Sequence, residues 1–268
     1  MVSPILKWAG GKRWLVVADR LPKPSKYQRY VEPFLGSGAV FFHLKPSSAI
    51  LSDLNADLIN LYKVVRDNPW EFEERMHAHQ AMHSKEYYYQ IRAKLCVDAD
   101  AAAARFLYLN RTCWNGLYRV NKRGEFNVPI GTKQAVVMST DDFLAVSETL
   151  KRAELRNEDF EKIIDETQHG DFLFVDPPYT VQHNFNGFLK YNEQIFSWQD
   201  QIRLSNALQK AANRGVSIVL TNADHESVRQ LYVQKFQYRK LARQSVLAGK
   251  SNKRGGTTEA IFTCNLEG

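Results

Sequence analysis

Short apolar runs separated by amphipathic segments dominate both ends of the chain. Phe172–Val175 are four consecutive apolar residues, a pattern typical of a strand buried on both faces within a parallel sheet. Similar runs predict further strands at Tyr30–Phe34, Ala49–Asn55, Ala153–Arg156, Val216–Leu220, Tyr238–Val246 and Ala260–Asn265. Helical periodicity and capping residues predict helices at Arg13–Leu21, Ala39–Leu44, Asp142–Lys151, Trp198–Asn213 and Glu226–Gln234. This alternation predicts an α/β fold.

The middle of the chain interrupts the alternation. Helical segments follow one another there, at Asp57–Arg66, Pro69–His83, Glu86–Leu95 and Ala99–Leu109. Residues 110–131 then hold Asn-Gly and Lys-Arg-Gly between alternating runs, which predicts a turn followed by a β-hairpin. We therefore predict a mostly helical insertion, residues 59–133, in an α/β domain formed by residues 1–58 and 134–268.

The composition of the 268 residues is that of an ordinary globular protein, with 44% hydrophobic and 24% charged residues. No run of about 18 apolar residues predicts a membrane span, and no secretion signal begins the chain. Three scattered cysteines suit reduced thiols in the cytoplasm. His79 and His83 have a spacing that could hold zinc, but no supporting ligand frame accompanies them, so we expect no metal.

Positive charge is concentrated in two stretches of the chain. The net charge is +7; residues 105–133 hold six basic residues and one acid, and residues 235–254 hold seven basic residues and none. Any single charge run is most simply a solvated face. Two such stretches in one chain favour a nucleic-acid partner.

A glycine-rich turn and an acid suggest an adenosine pocket. Gly36-Ser37-Gly38 joins the strand at Tyr30–Phe34 to a helix, and Asp53 ends the next strand, 17 residues beyond Gly36. An acid in that place accepts hydrogen bonds from ribose hydroxyls, although it could instead cap the following helix. The missing third glycine argues against a dinucleotide and hydride transfer. Methyl transfer from S-adenosylmethionine needs no pyrophosphate site.

A rigid polar corner follows the strand at Phe172–Val175. Prolines cannot donate to a sheet ladder, and they restrict the residue before them, so the chain leaves the sheet at Asp176. Ligands of open α/β sheets bind at the carboxyl ends of strands. The sequence Asp176-Pro177-Pro178-Tyr179 is therefore a candidate site.

The basic stretch at residues 105–133 also carries candidate DNA contacts. Arginine binds guanine or phosphate with two hydrogen bonds, asparagine does the same with adenine, and aromatic rings stack on or wedge between bases. An ordinary hairpin would not need this density of such residues. We predict DNA contacts by Arg111, Trp114, Asn115, Arg119 and Asn121, and Tyr118 is a second ring, beside Trp114, that could stack on bases.

Together, these motifs make the chain resemble the Dam family of DNA adenine-N6 methyltransferases, the D12 class. The matching segments, in chain order, are Leu6–Lys12, Val31–Gly38, Asp53–Ile59, Phe106–Arg111, Trp114–Arg119, Gly124–Pro129 and Asp176–Tyr179. The resemblance implies a Rossmann-like S-adenosylmethionine-dependent methyltransferase fold. It also implies that the insertion is a DNA-recognition domain ending in a β-hairpin.

The resemblance further implies roles for individual residues. The S-adenosylmethionine site would be lined by Trp8, Lys12, Asp53 and Asp176, with Phe34, Gly36, Asp159 and Phe160 near it. Bases of a GATC site would be contacted by Lys7, Leu117, Arg119 and Pro129, with Trp114 supporting the DNA around the flipped adenine. GATC-reading relatives commonly carry Arg and an aromatic residue where this chain has Thr132-Lys133. The resemblance therefore does not determine which outer base pair the protein recognises.

The corner suits methylation of an amino group. Asp176 and the Pro177 carbonyl would accept hydrogen bonds from the adenine amine, and Tyr179 would stack on the flipped base. We expect double-stranded DNA as the partner and a monomer in solution, with room for two copies on a palindromic site. The alternatives are methylation of cytosine N4, RNA adenine or protein glutamine, and a non-catalytic DNA-binding regulator.

Overall fold

The computed structural model describes residues 2–116, 118–121, 124–182, 196–244 and 256–267. The strands are β1 (Arg29–Glu32), β2 (Ala49–Ser52), β3 (Ala153–Arg156), β4 (Asp171–Val175), β5 (Ser217–Ala223), β6 (Gln237–Gln244) and β7 (Gly256–Cys264). The helices are α1 (Arg13–Val17), α2 (Ala39–Leu44), α3 (Ala56–Asp67), α4 (Pro69–Met82), α5 (Lys85–Ala93), α6 (Ala99–Thr112), α7 (Phe143–Leu150), α8 (Phe160–Asp165), α9 (Trp198–Asn213) and α10 (Glu226–Tyr232).

The strands form one seven-stranded sheet in the order β3-β2-β1-β4-β5-β7-β6. The pairs β2–β3, β1–β4 and β4–β5 are parallel, whereas β7 runs antiparallel to both β5 and β6. Parallel pairs need crossover connections, which the intervening helices supply. The predicted α/β fold is confirmed.

Strand β4 is the buried centre of its part of the sheet. All five of its residues are buried, and it pairs with β1 on one side and β5 on the other. Such a strand has no solvent-facing side, which explains the unbroken apolar sequence. The strand predicted at Phe172–Val175 is confirmed and begins one residue earlier, at Asp171.

The chain divides into two compact units. The first comprises Met1–Leu21 with Leu35–Asn157, and the second comprises Pro22–Phe34 with Glu158–Gly268. In the first unit, α3 packs against α6 and α7 through an apolar face that includes Leu58, Leu61 and Val65. The predicted division at residues 58/59 and 133/134 follows the sequence pattern of the insertion and stays a prediction.

The segment after α6 differs from the predicted hairpin. Helix α6 continues to Thr112, three residues beyond its predicted end, and a short 3-10 helix follows at Trp114–Gly116. In the described part of residues 113–131, the hairpin is reduced to two isolated antiparallel bridges, Cys113 with Ile130 and Val120 with Phe126. The helix continues to Thr112 because the side chains of Asn110 and Arg111 form hydrogen bonds with the backbone of Lys7 and Ile5 inside the first unit.

Within the described residues, no helix is long and apolar enough to cross a membrane. The same part of the chain contains no group of three or more His, Cys, Asp or Glu side chains placed to hold a metal ion.

Candidate active site

In the first unit, Asp53 fixes the glycine turn through backbone hydrogen bonds. Its Oδ2 accepts from the Gly36 N–H at 3.0 Å and its Oδ1 from the Asn55 N–H at 2.9 Å. Burial raises the pKa of the Asp53 carboxyl, and these two N–H donors partly oppose that rise. The cap of α3 is Asn55, which accepts from the Leu58 N–H, so the alternative of Asp53 as the N-cap is excluded.

An indole ring covers the same turn. A Cβ atom on Gly36 would lie 2.7 Å from Cδ1 of Trp8, and the φ of +47° at Gly36 also disfavours any side chain. Trp8 is in turn stacked on Tyr118, with 5.8 Å between ring centroids and 22° between planes. The turn therefore presents bare backbone next to a flat aromatic ring and an oriented carboxylate.

Lys12 lies buried in the same unit, next to Gly11, at which a Cβ would lie 3.5 Å from Ser37 Oγ of the turn. Only 3% of the Lys12 surface is exposed, and its Nζ donates to the Gly10 carbonyl at 2.8 Å. The predicted cofactor residues Trp8, Lys12, Gly36 and Asp53 thus all belong to the first unit.

In the second unit, the polar corner follows the end of β4. Asp176 Oδ1 accepts a 2.7 Å hydrogen bond from Thr221 Oγ1. The Tyr179 hydroxyl donates to Glu259 Oε2 at 2.9 Å. Burial raises the pKa of Tyr179 well above its usual value, and the charges of Asp176 and Glu259 add to the rise. The phenol therefore remains a neutral donor.

A second buried Tyr–Glu pair ends β1. The Tyr30 hydroxyl donates to Glu32 Oε2 at 2.9 Å, and both residues are buried. Burial is the main cause of the strongly raised pKa of Tyr30, and Glu32 and Asp176 contribute. Sequence patterns missed Glu32, Thr221 and Glu259; the only signal was a polar residue at or inside an apolar strand.

Aromatic rings surround the start of α8. Phe34 stacks on Phe160, with centroids 5.3 Å apart and planes at 25°, and Phe196 packs edge-on against Phe34 at 5.6 Å. Asp159 caps α8 by accepting from the Glu161 N–H, and it also accepts from Arg203. The predicted cofactor residues Phe34, Asp159 and Phe160 thus lie together.

The backbone of Lys7 is fixed by the end of α6. The amide side chain of Asn110 accepts from the Lys7 N–H at 3.0 Å and donates to the Lys7 carbonyl at 2.8 Å. Lys7 Nζ donates to the Asn115 carbonyl at 2.6 Å. Desolvation, followed by the charge of Lys133, lowers the pKa of Lys7. A Cβ on Gly116 would approach the Lys7 side chain to 2.7 Å.

Several of the predicted DNA contacts lie in the segment that follows α6, and most of these are exposed. Trp114 is 54% exposed, and its backbone N–H donates to the carbonyl of the exposed Pro129. Arg119 is exposed, with Nε donating to Asn127 Oδ1, and Asn121 donates to Glu125. Leu117 lies outside the described residues.

Arg111 lies in the interior of the first unit, whereas a DNA contact was expected to lie at the surface. Its side chain is 2% exposed and forms a two-pronged ion pair with Asp141, at 2.6 and 2.7 Å. The guanidinium also donates to the Ile5 and Val136 carbonyls. Because these contacts engage its donors inside the first unit, Arg111 does not fit a role at the DNA surface, and we correct that prediction.

Comparisons with known proteins agree with the motifs. A family model described as D12 class N6 adenine-specific DNA methyltransferase matches residues 8–247. The Type II methyltransferase M1.LlaDCHI of Lactococcus lactis subsp. cremoris is 37% identical, over 98% of this chain and 95% of its own length. M.MjaIII of Methanocaldococcus jannaschii, also a Type II methyltransferase, is 34% identical, over 94% and 95%. A DNA adenine methylase of Vibrio cholerae is 33% identical, over 85% and 83%.

The buried ion pair predicts a large loss of stability on removal of Arg111. In Arg111→Met, the Asp141 carboxylate stays buried without its guanidinium partner, which should cost about 3–5 kcal/mol of unfolding free energy. Lys151→Met is the control, because it removes an exposed ion pair with Glu148 and should cost less than about 1 kcal/mol. Urea denaturation followed by circular dichroism measures both. Equal losses in the two variants would contradict the structural role of Arg111.

Proposed function

This chain belongs to the D12 class of N6 adenine-specific DNA methyltransferases, and we propose that it methylates a flipped adenine in a GATC or related short site, using S-adenosylmethionine. The observation that carries the proposal is the Asp176 carboxylate, held by Thr221 where β4 ends and followed by two prolines. Adenine N6 is out of reach inside a duplex, so the base must leave the stack.

The glycine turn of the first unit fits the adenosine part of S-adenosylmethionine. Gly36 lets the flat ring of Trp8 pack closely on the turn, and the Asp53 carboxylate could accept hydrogen bonds from ribose hydroxyls. We assign binding roles to these residues and to Lys12, Phe34, Asp159, Phe160 and Asp176. S-adenosylmethionine, when bound, supplies a methyl group activated by a sulfonium charge.

The corner residues would make the adenine amine a nucleophile. That nitrogen is a poor nucleophile, since its lone pair is delocalised into the ring. Hydrogen bonds from its two N–H groups to the Asp176 carboxylate and the Pro177 carbonyl would favour a pyramidal nitrogen with an available lone pair. The carboxylate would also stabilise the positive charge that develops on nitrogen, and proton loss can follow. Tyr179 would stack on the flipped base.

Lys7 and the segment that follows α6 would contact the duplex. We assign this role to Lys7, Trp114, Asn115, Leu117, Arg119, Asn121 and Pro129, and leave out Arg111. Arg119 has the fork that binds guanine with two hydrogen bonds, and its exposed position suits that contact. We expect the protein to act as a monomer in the compartment that holds the DNA, with one copy on each half of a palindromic site.

Removal of the Asp176 carboxylate should abolish methyl transfer. Asp176→Ala removes the acceptor for the adenine amine, so we expect no measurable incorporation of radiolabelled methyl groups into duplex DNA. Asp165→Ala, which alters an exposed carboxylate at the end of α8, is the control and should be as active as the unaltered protein. Substantial residual activity of Asp176→Ala would overturn the proposed role.

Arg119 should discriminate between bases rather than only bind phosphate. Arg119→Ala should lose about 1–3 kcal/mol of discrimination at one base pair. Arg119→Lys keeps the charge but lacks the fork, and it should lose a similar discrimination. Relative rates on a panel of single-substitution DNA duplexes measure this loss. An equal fall on every duplex for Arg119→Ala, with full recovery in Arg119→Lys, would identify a phosphate contact instead.

Asp53 should contribute to S-adenosylmethionine affinity. Asp53→Asn keeps the size of the side chain but replaces a charged acceptor, so binding should weaken by about 1.5–3 kcal/mol. That loss corresponds to roughly 10- to 150-fold in the dissociation constant, measured by calorimetry. Asp67→Asn, at the far end of α3, is the control and should bind normally. Unchanged affinity in Asp53→Asn would remove Asp53 from the site.

A further inference from the structure

Thr221 is a buried polar residue beside the corner. The register of β4 and β5 pairs Val175 with Leu220. Asp176 and Thr221, which follow these two residues, are therefore neighbours. Thr221 is fully buried within the run of buried residues of β5. A buried hydroxyl without a partner would destabilise the strand, so the hydroxyl of Thr221 requires a hydrogen-bond partner.

The hydroxyl of Thr221 lies close to the Asp176 carboxylate and is also within hydrogen-bonding reach of the Tyr179 side chain. Asp176 Oδ1 lies 2.7 Å from Thr221 Oγ1, whereas the Val175 carbonyl lies at 3.4 Å. Hydrogen bonds to an ionised carboxylate are shorter and stronger than those to a neutral carbonyl. The donor therefore holds one carboxylate oxygen and restricts rotation about the Cβ–Cγ bond of Asp176.

Glu259 has the corresponding relation to Tyr179. Strand β7 pairs Glu259 with Ala223 of β5, and only 4% of Glu259 is exposed. Its Oε2 accepts the Tyr179 hydroxyl at 2.9 Å. An aromatic side chain anchored at its hydroxyl end cannot swing freely about its χ1 torsion. The two antiparallel neighbours β5 and β7 thus supply one contact to the carboxylate and one to the ring.

We propose that Thr221 and Glu259 are positioning residues for methyl transfer, Thr221 setting the orientation of the Asp176 carboxylate and Glu259 that of the Tyr179 ring. The inference rests on the proposed function, because it assumes that this carboxylate and this ring receive the adenine. Neither residue touches the substrate. Each acts by keeping a substrate-binding group in one orientation before the base arrives, which lowers the cost of reaching the reactive geometry.

A matched pair of substitutions tests Thr221. Valine has nearly the same shape without the hydroxyl, whereas serine keeps the hydroxyl and loses one methyl group. Thr221→Val should lower the single-turnover rate of methyl transfer about 10- to 100-fold, with DNA affinity, S-adenosylmethionine affinity and melting temperature nearly unchanged. Thr221→Ser should retain most of the rate. A normal rate in Thr221→Val, or equal losses in both variants, would overturn the role of Thr221.

A second pair tests Glu259. Tyr179→Phe keeps the ring and removes its hydroxyl, and Glu259→Gln keeps the size of the acceptor and removes its charge. If one hydrogen bond connects the two residues, each single substitution should lower the single-turnover rate. The double variant should then be no slower than the slower of the two single variants. Multiplied losses in the double variant would show that the two residues act separately and would overturn the role of Glu259.

Crystal structures of the variants keep this inference separate from the proposed function. The Asp176 carboxylate should keep its orientation in Thr221→Ser and rotate or adopt several orientations in Thr221→Val. This result can be read even if the unaltered protein methylates no adenine, an outcome that would defeat the proposed function alone. An Asp176 carboxylate in the same single orientation in both variants would overturn the positioning role of Thr221.

Discussion

A carboxylate at the end of a buried strand must be hydrogen-bonded, and this requirement is met separately in each of the two units. Asp53 and Asp176 are half-buried, and an acceptor that loses water without gaining a partner costs free energy. Asp53 meets the requirement with the N–H groups of Gly36 and Asn55. Asp176 meets it, at one oxygen, with the hydroxyl of Thr221. The carboxylates are oriented by the same interactions that make their burial tolerable.

The hydrogen bonds to Asp53 come from the backbone and the one to Asp176 comes from a side chain, so the two arrangements depend on the sequence in different ways. Backbone donors remain under any substitution that keeps the turn, so at Gly36 the constraint falls on shape: Trp8 leaves no space for a Cβ. The donor to Asp176 is a side chain on a neighbouring strand, so its loss by substitution leaves the backbone intact. The orientation of Asp53 is therefore a property of the fold, whereas that of Asp176 depends on the identity of one residue.

Local patterns predict the elements whose burial is complete or whose caps are standard. Helix α9 has the bounds expected from Ser197, which caps it with Asp200 in a capping box, and the fully buried β4 differs from its predicted bounds by one residue. Strand β5 was predicted to end at Leu220, but it continues to Ala223 because β7 pairs with it as far as Glu259. That pairing joins distant segments, so no local pattern could reveal it, and the contacts of Thr221 and Glu259 were missed for the same reason.

Charge in the sequence is a poor guide to the surface, as two arginines eight residues apart demonstrate. Arg119 is exposed, whereas Arg111 is buried against Asp141, 30 residues away, and the Ile5 carbonyl, 106 residues away. The buried arginine still matters to the exposed surface. It ties the N-terminal segment to α6, and the preceding residue, Asn110, holds the backbone of Lys7. Arg111 can thus help to fix the place of Lys7, which is proposed to contact DNA, because Arg111 and Asn110 both belong to α6 and both hydrogen-bond to the N-terminal segment.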